Sequence, residues 1–381
     1  MNKNQMLIFG DICPTEDYRR FFDTRENGAL SDRISADVSA AGLAIANFEC
    51  PATEHAVPIA KCGPSLRAEP KDVQLLRRIG FDVLSLANNH ILDFGAEGVM
   101  QTLELCGAAQ ILTVGAGENC DAAKRPLLFE QDGKKIAILS YAEAEFNLAG
   151  KTTPGANHFE PFDAPDEIRR LRSGCDYLIV LYHGGIEHYK YPSPMLQKKC
   201  RKLAEAGADL VLCQHSHCIG TIEKRGGSTI LYGQGNAVFG YREGNTAWNE
   251  GLVVKVDLHQ PEKVDLLLLK ATADGVEYAN EEECAERLQT LKKDSERLND
   301  AEWIEQQWIA YCKRQEALDL PMLFGRSRVF NKLNRLLGNR LIRLLYSKRK
   351  MMTTMNLLRC EAHHEVVQTI LEENVFEKDR F

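Results

Sequence analysis

The feature that most constrains the fold is the alternation of short apolar runs with amphipathic stretches over the first two-thirds of the chain. The amphipathic stretches repeat apolar side chains every three or four residues, as helices packed on a core do. Short apolar runs between such helices are typical of strands in a largely buried sheet, so the pattern predicts an α/β fold. The predicted strands are residues 6–9, 43–46, 83–87, 111–114, 136–141, 177–182, 210–213 and 229–232, and the predicted helices include 70–79, 96–106 and 195–206.

Two further runs, 252–258 and 264–269, predict consecutive strands at an antiparallel edge. Beyond about residue 280 the chain becomes highly charged with helical periodicity, in 281–298 and again in 303–318. This shift in composition predicts a main domain over residues 1–275 and a helical C-terminal extension over residues 281–381.

The extension contains a basic amphipathic segment, predicted to form one helix over residues 326–350, with nine Lys and Arg and no Asp or Glu. Its leucines fall on one helical face, which predicts packing of that face on the main domain or on a second subunit. Peripheral contact with an anionic membrane surface is a second interpretation. Nucleic-acid binding is not expected, because no aromatic platform or base-reading motif accompanies the charge.

Composition and charge indicate which partners and which cellular compartment suit this chain. The formal net charge is −7, so the whole molecule is no polycation for nucleic acid. Twelve cysteines are scattered without a C-x-x-C pair, which fits a reducing compartment better than a disulfide framework. Gly10 interrupts the first apolar run too early for a signal peptide, and no run reaches the length of a membrane span. We therefore expect a cytoplasmic protein, with peripheral attachment at the inner membrane surface as the alternative.

Polar side chains follow five of the predicted strands at the point where each strand ends. Because ligands of open α/β sheets gather beyond the carboxyl ends of the strands, these side chains should meet in one crevice. Imidazoles together with carboxylate and amide oxygens suit Zn, Mn or Fe ions. The sequence therefore predicts a metal site. The polar residues are Asp11, Asn47, Glu49, Asn88, Asn89, His90, His183, His215 and His217.

The segments that carry these residues resemble, in order, the motifs of the CapA family, a PGA_cap-domain family named for bacterial capsule and poly-γ-glutamate synthesis. The similarity covers about residues 6–240, and its most specific block is Asn-Asn-His-x-x-Asp-x-Gly at residues 88–95. The other segments are Gly10-Asp11, residues 46–51, His183-Gly184-Gly185-Ile186-Glu187, residues 209–217 and residues 232–236. The resemblance implies a calcineurin-like metallophosphoesterase fold, an α/β sandwich with layered mixed sheets, ahead of the C-terminal helices.

The resemblance also implies two divalent metal ions, with Mn, Zn and Fe as the candidates. Asp11 and His217 would bind the first ion, and Glu49 would bridge both. Cys13 stands where the wider superfamily has a ligand histidine, and both a soft ligand and a buried structural thiol remain open there. The ligands of the second ion would be Asn89, His183 and His215.

Catalytic roles follow from the same resemblance. His90 would protonate or stabilise a leaving oxygen, and Asp93 or Glu187 would orient an imidazole. From their own chemistry, Lys61 and Arg67, in a loop that contains Gly and Pro, are candidates to hold an anionic substrate, with an ordinary solvated loop as the alternative. The same role is expected of two amides, Asn88 and Asn236.

Three functions remain open from the sequence. The first is metal-dependent hydrolysis of a phosphoester or related anionic bond, in an anionic polymer or in a phosphorylated or peptidic small substrate, linked to capsule, poly-γ-glutamate or exopolysaccharide synthesis. The second is metal-dependent peptide epimerisation or polymer assembly on the same fold. The third is a non-catalytic component of a cell-envelope polymer assembly complex, with metals that stabilise the fold.

Overall fold

A computed structural model describes residues 2–323, 328–338 and 340–376 of the chain. The chain divides into two compact units, one ending at Glu305 and the other beginning at Gln306. The strands in the first unit are β1 (Asn2–Ile12), β2 (Ala41–Phe48), β3 (Val83–Ser85), β4 (Leu112–Val114), β5 (Ala116–Gly117), β6 (Leu127–Gln131), β7 (Lys134–Ala142), β8 (Gly155–Ala156), β9 (Tyr177–His183), β10 (Leu210–Gln214), β11 (Ile222–Arg225), β12 (Ser228–Leu231), β13 (Asn236–Val238), β14 (Glu250–Asp257), β15 (Val264–Thr272) and β16 (Gly275–Tyr278).

Helices connect and cover these strands in the first unit and make up the second. The helices are α1 (Glu16–Thr24), α2 (Asp32–Ala40), α3 (Pro70–Ile79), α4 (Gly95–Ala108), α5 (Cys120–Ala123), α6 (Ala164–Arg172), α7 (Pro194–Ala206), α8 (Thr246–Asn249), α9 (Glu281–Ser295), α10 (Ala301–Leu323), α11 (Arg328–Leu336), α12 (Arg340–Leu345), α13 (Lys348–Arg359) and α14 (Glu361–Phe376).

Two mixed sheets form the body of the first unit. The first sheet has the order β16-β15-β14-β1-β2-β3-β4, with β13 also paired to β1, and the second has the order β11-β12-β10-β9-β7-β6. In the first sheet β1 to β4 run parallel and β14 to β16 form an antiparallel side, whereas in the second sheet the inner strands run parallel and the two edge strands pair antiparallel. The antiparallel pairing of β14 with β15 confirms the edge predicted from residues 252–269.

Apolar side chains alternate across each strand and fill three layers of core. Ile8 and Ile45 of the first sheet pack with Ile138 and Leu181 of the second, so the two sheets lie face to face. The outer face of the first sheet is covered by α1 to α4, and that of the second by α6 and α7. The result is the predicted α/β sandwich with layered mixed sheets, followed by C-terminal helices.

The predicted helix over residues 70–79 matches α3 because its end signals are strong. Pro70 begins the helix, and Glu69 and Asp72 form a capping box at its N-terminus. Gly80 ends the helix in the left-handed region, with φ of 118°. Strands β5, β6, β8, β11, β13 and β16 escaped prediction, since five of them have at most four residues and β6 begins with three apolar residues in a row.

Close packing of the backbone beside β1 depends on a glycine. A Cβ atom at Gly10 would lie 2.2 Å from the carbonyl oxygen of Gly235, in the loop that leads into β13. Only glycine permits this approach, which brings β13 alongside the end of β1. Residue 11, the next one along β1, is thereby held at the carboxyl edge of the sheet.

The C-terminal helices differ from the prediction in one respect. The sequence predicts one basic amphipathic helix over residues 326–350, but the described part of this segment contains α11, α12 and the start of α13. Gly338 has a φ of 61° and ends the first of these, and Ser347 caps α13. Arg326, Ser327 and Asn339 lie outside the described residues. Leucines on the predicted apolar face are exposed, namely Leu333, Leu336 and Leu344.

The predicted domain boundary between residues 275 and 281 stays a prediction. Helix α9 belongs to the first compact unit, where Leu291 is buried and Arg287 pairs with Glu250 of β14 at 3.0 Å. Over the residues that the structure describes, no helix is both long and apolar enough to cross a membrane.

The buried carboxylate of Asp72 should be a main stabilising contact of this fold. Arg19 donates two hydrogen bonds to it, at 2.6 and 2.5 Å, and the N–H of Glu69 donates a third at 2.7 Å. We expect Asp72→Asn to lower the free energy of unfolding by about 3 kcal/mol, because it leaves part of a buried ion pair unmatched. Asp166→Asn, which breaks the exposed pair with Arg169, should cost less than about 1 kcal/mol. Urea denaturation measures both, and equal losses would contradict the prediction.

Candidate metal centre

The carboxyl edges of the two sheets meet in one buried cluster of ligand-type side chains. Asp11 lies near the end of β1, Glu49 follows β2, His183 ends β9, and His215 follows β10. The sequence placed these residues after separate strands, and the sandwich brings them within contact distance. All four are buried.

Asp11 is held by two donors. Asn47 Nδ2 donates to Asp11 Oδ1 at 2.7 Å, and the backbone N–H of His215 donates to Oδ2 at 3.1 Å. Burial and the neighbouring Glu49 nevertheless raise the pKa of Asp11 well above its usual range. These two donors therefore compensate only part of the negative charge of the Asp11 carboxylate.

Glu49 is the most poorly compensated group of the cluster. Both carboxylate oxygens are buried, and neither has a hydrogen-bond partner among the described residues. Two imidazole nitrogens lie close to its Oε1 atom, His183 Nε2 at 3.5 Å and His217 Nε2 at 3.8 Å. Burial raises the pKa of Glu49 well above its usual range. A buried carboxylate without partners is unfavourable unless a cation accompanies it.

The three histidines are held as neutral imidazoles. Burial lowers the pKa of His183 to about 4 and that of His215 to about 3. Burial, reinforced by His215, also lowers the pKa of His217 well below its usual range. A neutral ring nitrogen is the form that binds a metal, so these histidines are ready to act as ligands near neutral pH.

The ligand atoms fall into two groups that share Glu49. One group is Glu49, His183 and His215, and the other is Asp11, Glu49 and His217. Within each group the ligand atoms lie within 4.8 Å of one another, so they face one common position. Mixed nitrogen and oxygen donors, buried and lacking a counter-charge, fit divalent transition-metal ions. Cys13 belongs to neither group, and its buried thiol lies beside that of Cys50.

The loops that carry the histidines have strained backbones. His215, His217 and His188 have φ values of 88°, 49° and 59°, in the left-handed region that non-glycine residues rarely adopt. The N–H of His188 donates to the carbonyl of Ser216 at 2.7 Å, which ties the two loops together. Such strain persists only where surrounding contacts hold it, and it commonly marks a functional site.

Three asparagines from the predicted set have different positions. Asn89 Oδ1 lies 2.9 Å from His183 Nε2, at the edge of the first ligand group. Asn88 is fully buried and donates to the carbonyl of Phe48 at 2.8 Å, so it fixes the loop after β3. Asn236 Oδ1 lies 2.9 Å from His217 Nδ1, so it orients that imidazole.

His90 lies beside the cluster with its Nδ1 atom 2.6 Å from Asp93 Oδ2. Asp93 also accepts a hydrogen bond from the N–H of Leu66 at 2.7 Å and forms a buried ion pair with Lys61. These contacts fix the plane of the imidazole through Nδ1, so that Nε2 is the ring nitrogen turned away from Asp93.

A cavity of about 480 Å³ opens beside the ligand groups. His90, Lys61 and Glu187 line it, whereas Arg67 does not: its guanidinium donates to the carbonyl of His55 and lies over the Phe94 ring. Glu187 contacts His188 at 3.9 Å. The cavity is also lined by residues that the sequence did not single out, because they lie in loops or, for Trp248, in the four-residue helix α8, where no periodic pattern marks them. These residues are Glu145, His188, Phe239, Arg242 and Trp248.

Comparisons with known proteins identify a family for the region that carries this cluster. Residues 5–241 match the family model described as bacterial capsule synthesis protein PGA_cap. The chain is similar to the capsule biosynthesis protein CapA of Bacillus anthracis, with 31% identity over 180 residues, 46% of this chain and 44% of that protein. It is also similar to the PGA biosynthesis protein CapA of Bacillus subtilis strain 168, with 29% identity over 234 residues, 60% of this chain and 62% of that protein.

The chain thus spans less than two thirds of the length of either relative. Among solved structures, a hypothetical protein from Thermus thermophilus aligns with 70% of this chain and 99% of its own, at 16% identity and a TM-score of 0.45.

Replacing Glu49 by Gln should make the stability of the folded protein nearly independent of metal binding. The amide has the shape of the carboxylate without its charge, so we expect the variant to be at least as stable as the wild type in chelator. Saturating Mn²⁺ should stabilise the wild type by about 3 kcal/mol at a hundredfold excess over the dissociation constant, and the variant by much less.

Thermal unfolding with and without Mn²⁺ measures this difference. Glu54→Gln, at an exposed glutamate, is the control and should respond to Mn²⁺ as the wild type does. Equal stabilisation of the wild type and Glu49→Gln would show that the buried carboxylate holds no ion.

Proposed function

We propose that this chain, which belongs to the bacterial capsule synthesis protein PGA_cap family, is a metal-dependent hydrolase of a phosphoester or related anionic bond in a cell-envelope polymer or its precursor. The observation that carries the proposal is the pair of ligand groups that share the uncompensated carboxylate of Glu49. Two divalent cations bound there would activate a water and stabilise charge on the attacking and leaving oxygens.

The ligand assignment proposed here divides the side chains between the two ions. Asp11 and His217 would hold one, Asn89, His183 and His215 the other, and Glu49 would contact both. Support comes from the buried neutral imidazoles, from the lack of hydrogen-bond donors to Glu49 among the described residues, and from the contact of Asn89 with His183. Asn47 and Asn236 would keep Asp11 and His217 in position through their amides.

His90 is the proposed general acid. Asp93 accepts from Nδ1, so the proton available to a substrate would reside on Nε2. Lys61 neutralises Asp93 and is 3.3 Å from His90 Nδ1. Because a lysine ammonium can only donate, Asp93 is the group that accepts the Nδ1 proton, and Lys61 acts on the imidazole through Asp93.

A second candidate is metal-dependent epimerisation, which needs two groups that can each transfer a proton. Two imidazoles outside the ligand groups, His90 and His188, line the cavity. An epimerase would introduce solvent deuterium at the α-carbon of a peptide substrate without cleaving a bond. Mass spectrometry of a glutamyl peptide incubated in D₂O separates this reaction from hydrolysis.

His90→Ala should lower kcat for phenyl phosphate, whose phenolate leaving group needs a proton, by about 10² to 10⁴, the usual contribution of a positioned general acid. Activity of the wild type should vanish in chelator and return with Mn²⁺. The control is His55→Ala, because His55 pairs with Glu97 outside the cavity and should leave kcat unchanged.

Metal content should be measured on the same samples. His90→Ala that retains metal but loses turnover supports the proposed role. Metal-loaded wild type that cleaves neither p-nitrophenyl phosphate nor bis(p-nitrophenyl) phosphate, and exchanges no deuterium, would favour the non-catalytic alternative instead.

A further inference from the structure

One wall of the cavity is aromatic and is built by the segment after β13. Phe239 and Trp248, here named the aromatic wall, are both buried, with ring centroids 5.5 Å apart in an edge-to-face contact. The ring of His217 lies against both, 4.6 Å from Phe239 and 4.9 Å from Trp248. The aromatic wall therefore continues directly from the second ligand group.

Trp248 is held rigidly in this wall. Its indole Nε1 donates to the carbonyl of Gly240 at 3.3 Å, and its backbone N–H donates to Asn245 at 3.1 Å. Its carbonyl accepts from the side chain of Asn236 at 3.0 Å, the same asparagine that contacts His217. A shared asparagine thus couples the position of the ring to the position of a ligand histidine.

Arg242 lies on this ring. Its guanidinium carbon is 3.1 Å from the centroid of Trp248, a stacked cation–π contact. Asn249 holds the backbone of Arg242 from both sides, because its Oδ1 accepts from the Arg242 N–H at 2.9 Å and its Nδ2 donates to the carbonyl at 2.7 Å. Stacking fixes the plane of the guanidinium and leaves the N–H groups along its edge available.

The guanidinium donors of Arg242 have no protein acceptor among the described residues. Within the described parts of the chain, no carboxylate lies within 4 Å of the guanidinium, and the charges of Glu187 and Asp17 act on it from farther away. Lys61, another cation that lines the cavity, is 3% exposed and is paired with Asp93. Of the lysine and arginine side chains described in this cavity, Arg242 is therefore the one with open hydrogen-bonding capacity.

We infer that Arg242, stacked on Trp248, binds a second anionic group of the substrate, a carboxylate or a phosphate, one aromatic ring away from the ligand groups. A planar guanidinium with a free edge matches the two oxygens of such a group. The substrate class is then a compound with at least two anionic groups, one at the ligand groups and one at Arg242. This inference rests on the proposed function for the position of the reacting group.

Equilibrium binding to the full chain loaded with Mn²⁺ tests the inference without requiring turnover. The probes are tripolyphosphate compared with inorganic phosphate, and pentaglutamate compared with acetate, so that the two arms separate phosphate from carboxylate recognition. We expect the wild type to bind at least one oligoanion about tenfold or more tightly than its single-group counterpart, as expected when one bidentate charged contact is added. Isothermal titration calorimetry gives the dissociation constants.

Arg242→Gln should weaken binding of that oligoanion about tenfold, because one bidentate charged contact is lost, while binding of the single anion changes less than about twofold. Arg242→Lys keeps the positive charge but lacks the planar pair of N–H donors, so its affinity for the oligoanion should lie between those of the wild type and Arg242→Gln. The matched control is Arg297→Gln, because Arg297 also lies over a tryptophan, Trp303, but outside the cavity. Metal content and melting temperature confirm that each variant is folded and loaded.

Equal affinity of Arg242→Gln and Arg297→Gln for both oligoanions would overturn the inference, as would a wild type that binds oligoanions no better than single anions. Hydrolysis of p-nitrophenyl phosphate is measured separately on the same protein. Turnover without an effect of Arg242 on binding would overturn the inference and leave the proposed function intact. Oligoanion binding that depends on Arg242, without any turnover, would support the inference and contradict the proposed hydrolase activity.

Discussion

The buried carboxylate of Glu49 is the constraint around which the rest of the site is arranged. It has no hydrogen-bond donor among the described residues, although three imidazoles and a second carboxylate surround it. A protein that needed only stability would replace such a group with an apolar side chain, because an uncompensated buried charge is expensive. Retaining it in a shell of neutral imidazoles is favourable when cations complete the cluster, and this requirement underlies the chemistry proposed here.

The two-sheet architecture makes this cluster available. Parallel strands end at a common edge, so β1 and β2 present Asp11 and Glu49 together, and β9 and β10 present His183 and His215 together. Face-to-face packing of the sheets then opposes the two pairs. Left-handed backbone at the two histidines after β10 turns both side chains toward the carboxylates, and the aromatic wall with Arg242 extends the same edge outward.

Much of this could be predicted from the sequence, and the exceptions have physical causes. Helix α3 was predictable to the residue because Pro70, the capping box and Gly80 mark both ends locally. The meeting of the ligand-type side chains at one edge was predictable because each follows a buried strand. The positions of Trp248 and Arg242 were not, since both lie in the segment around the four-residue helix α8, where no periodic apolar pattern marks them. The prediction of a single basic helix over residues 326–350 was wrong because Gly338 adopts a left-handed conformation that the leucine spacing does not reveal.

The most direct test of the binuclear centre is the metal content of the full chain purified without chelator, measured by elemental analysis for the wild type, Asp11→Ala and His215→Ala in parallel. Two ligand groups that share Glu49 predict about two transition-metal ions per chain in the wild type and fewer in each variant, since each substitution removes a ligand from one group. Metal-free protein that folds equally well in all three forms would contradict the binuclear centre, because the buried carboxylates would then have no cation to compensate them.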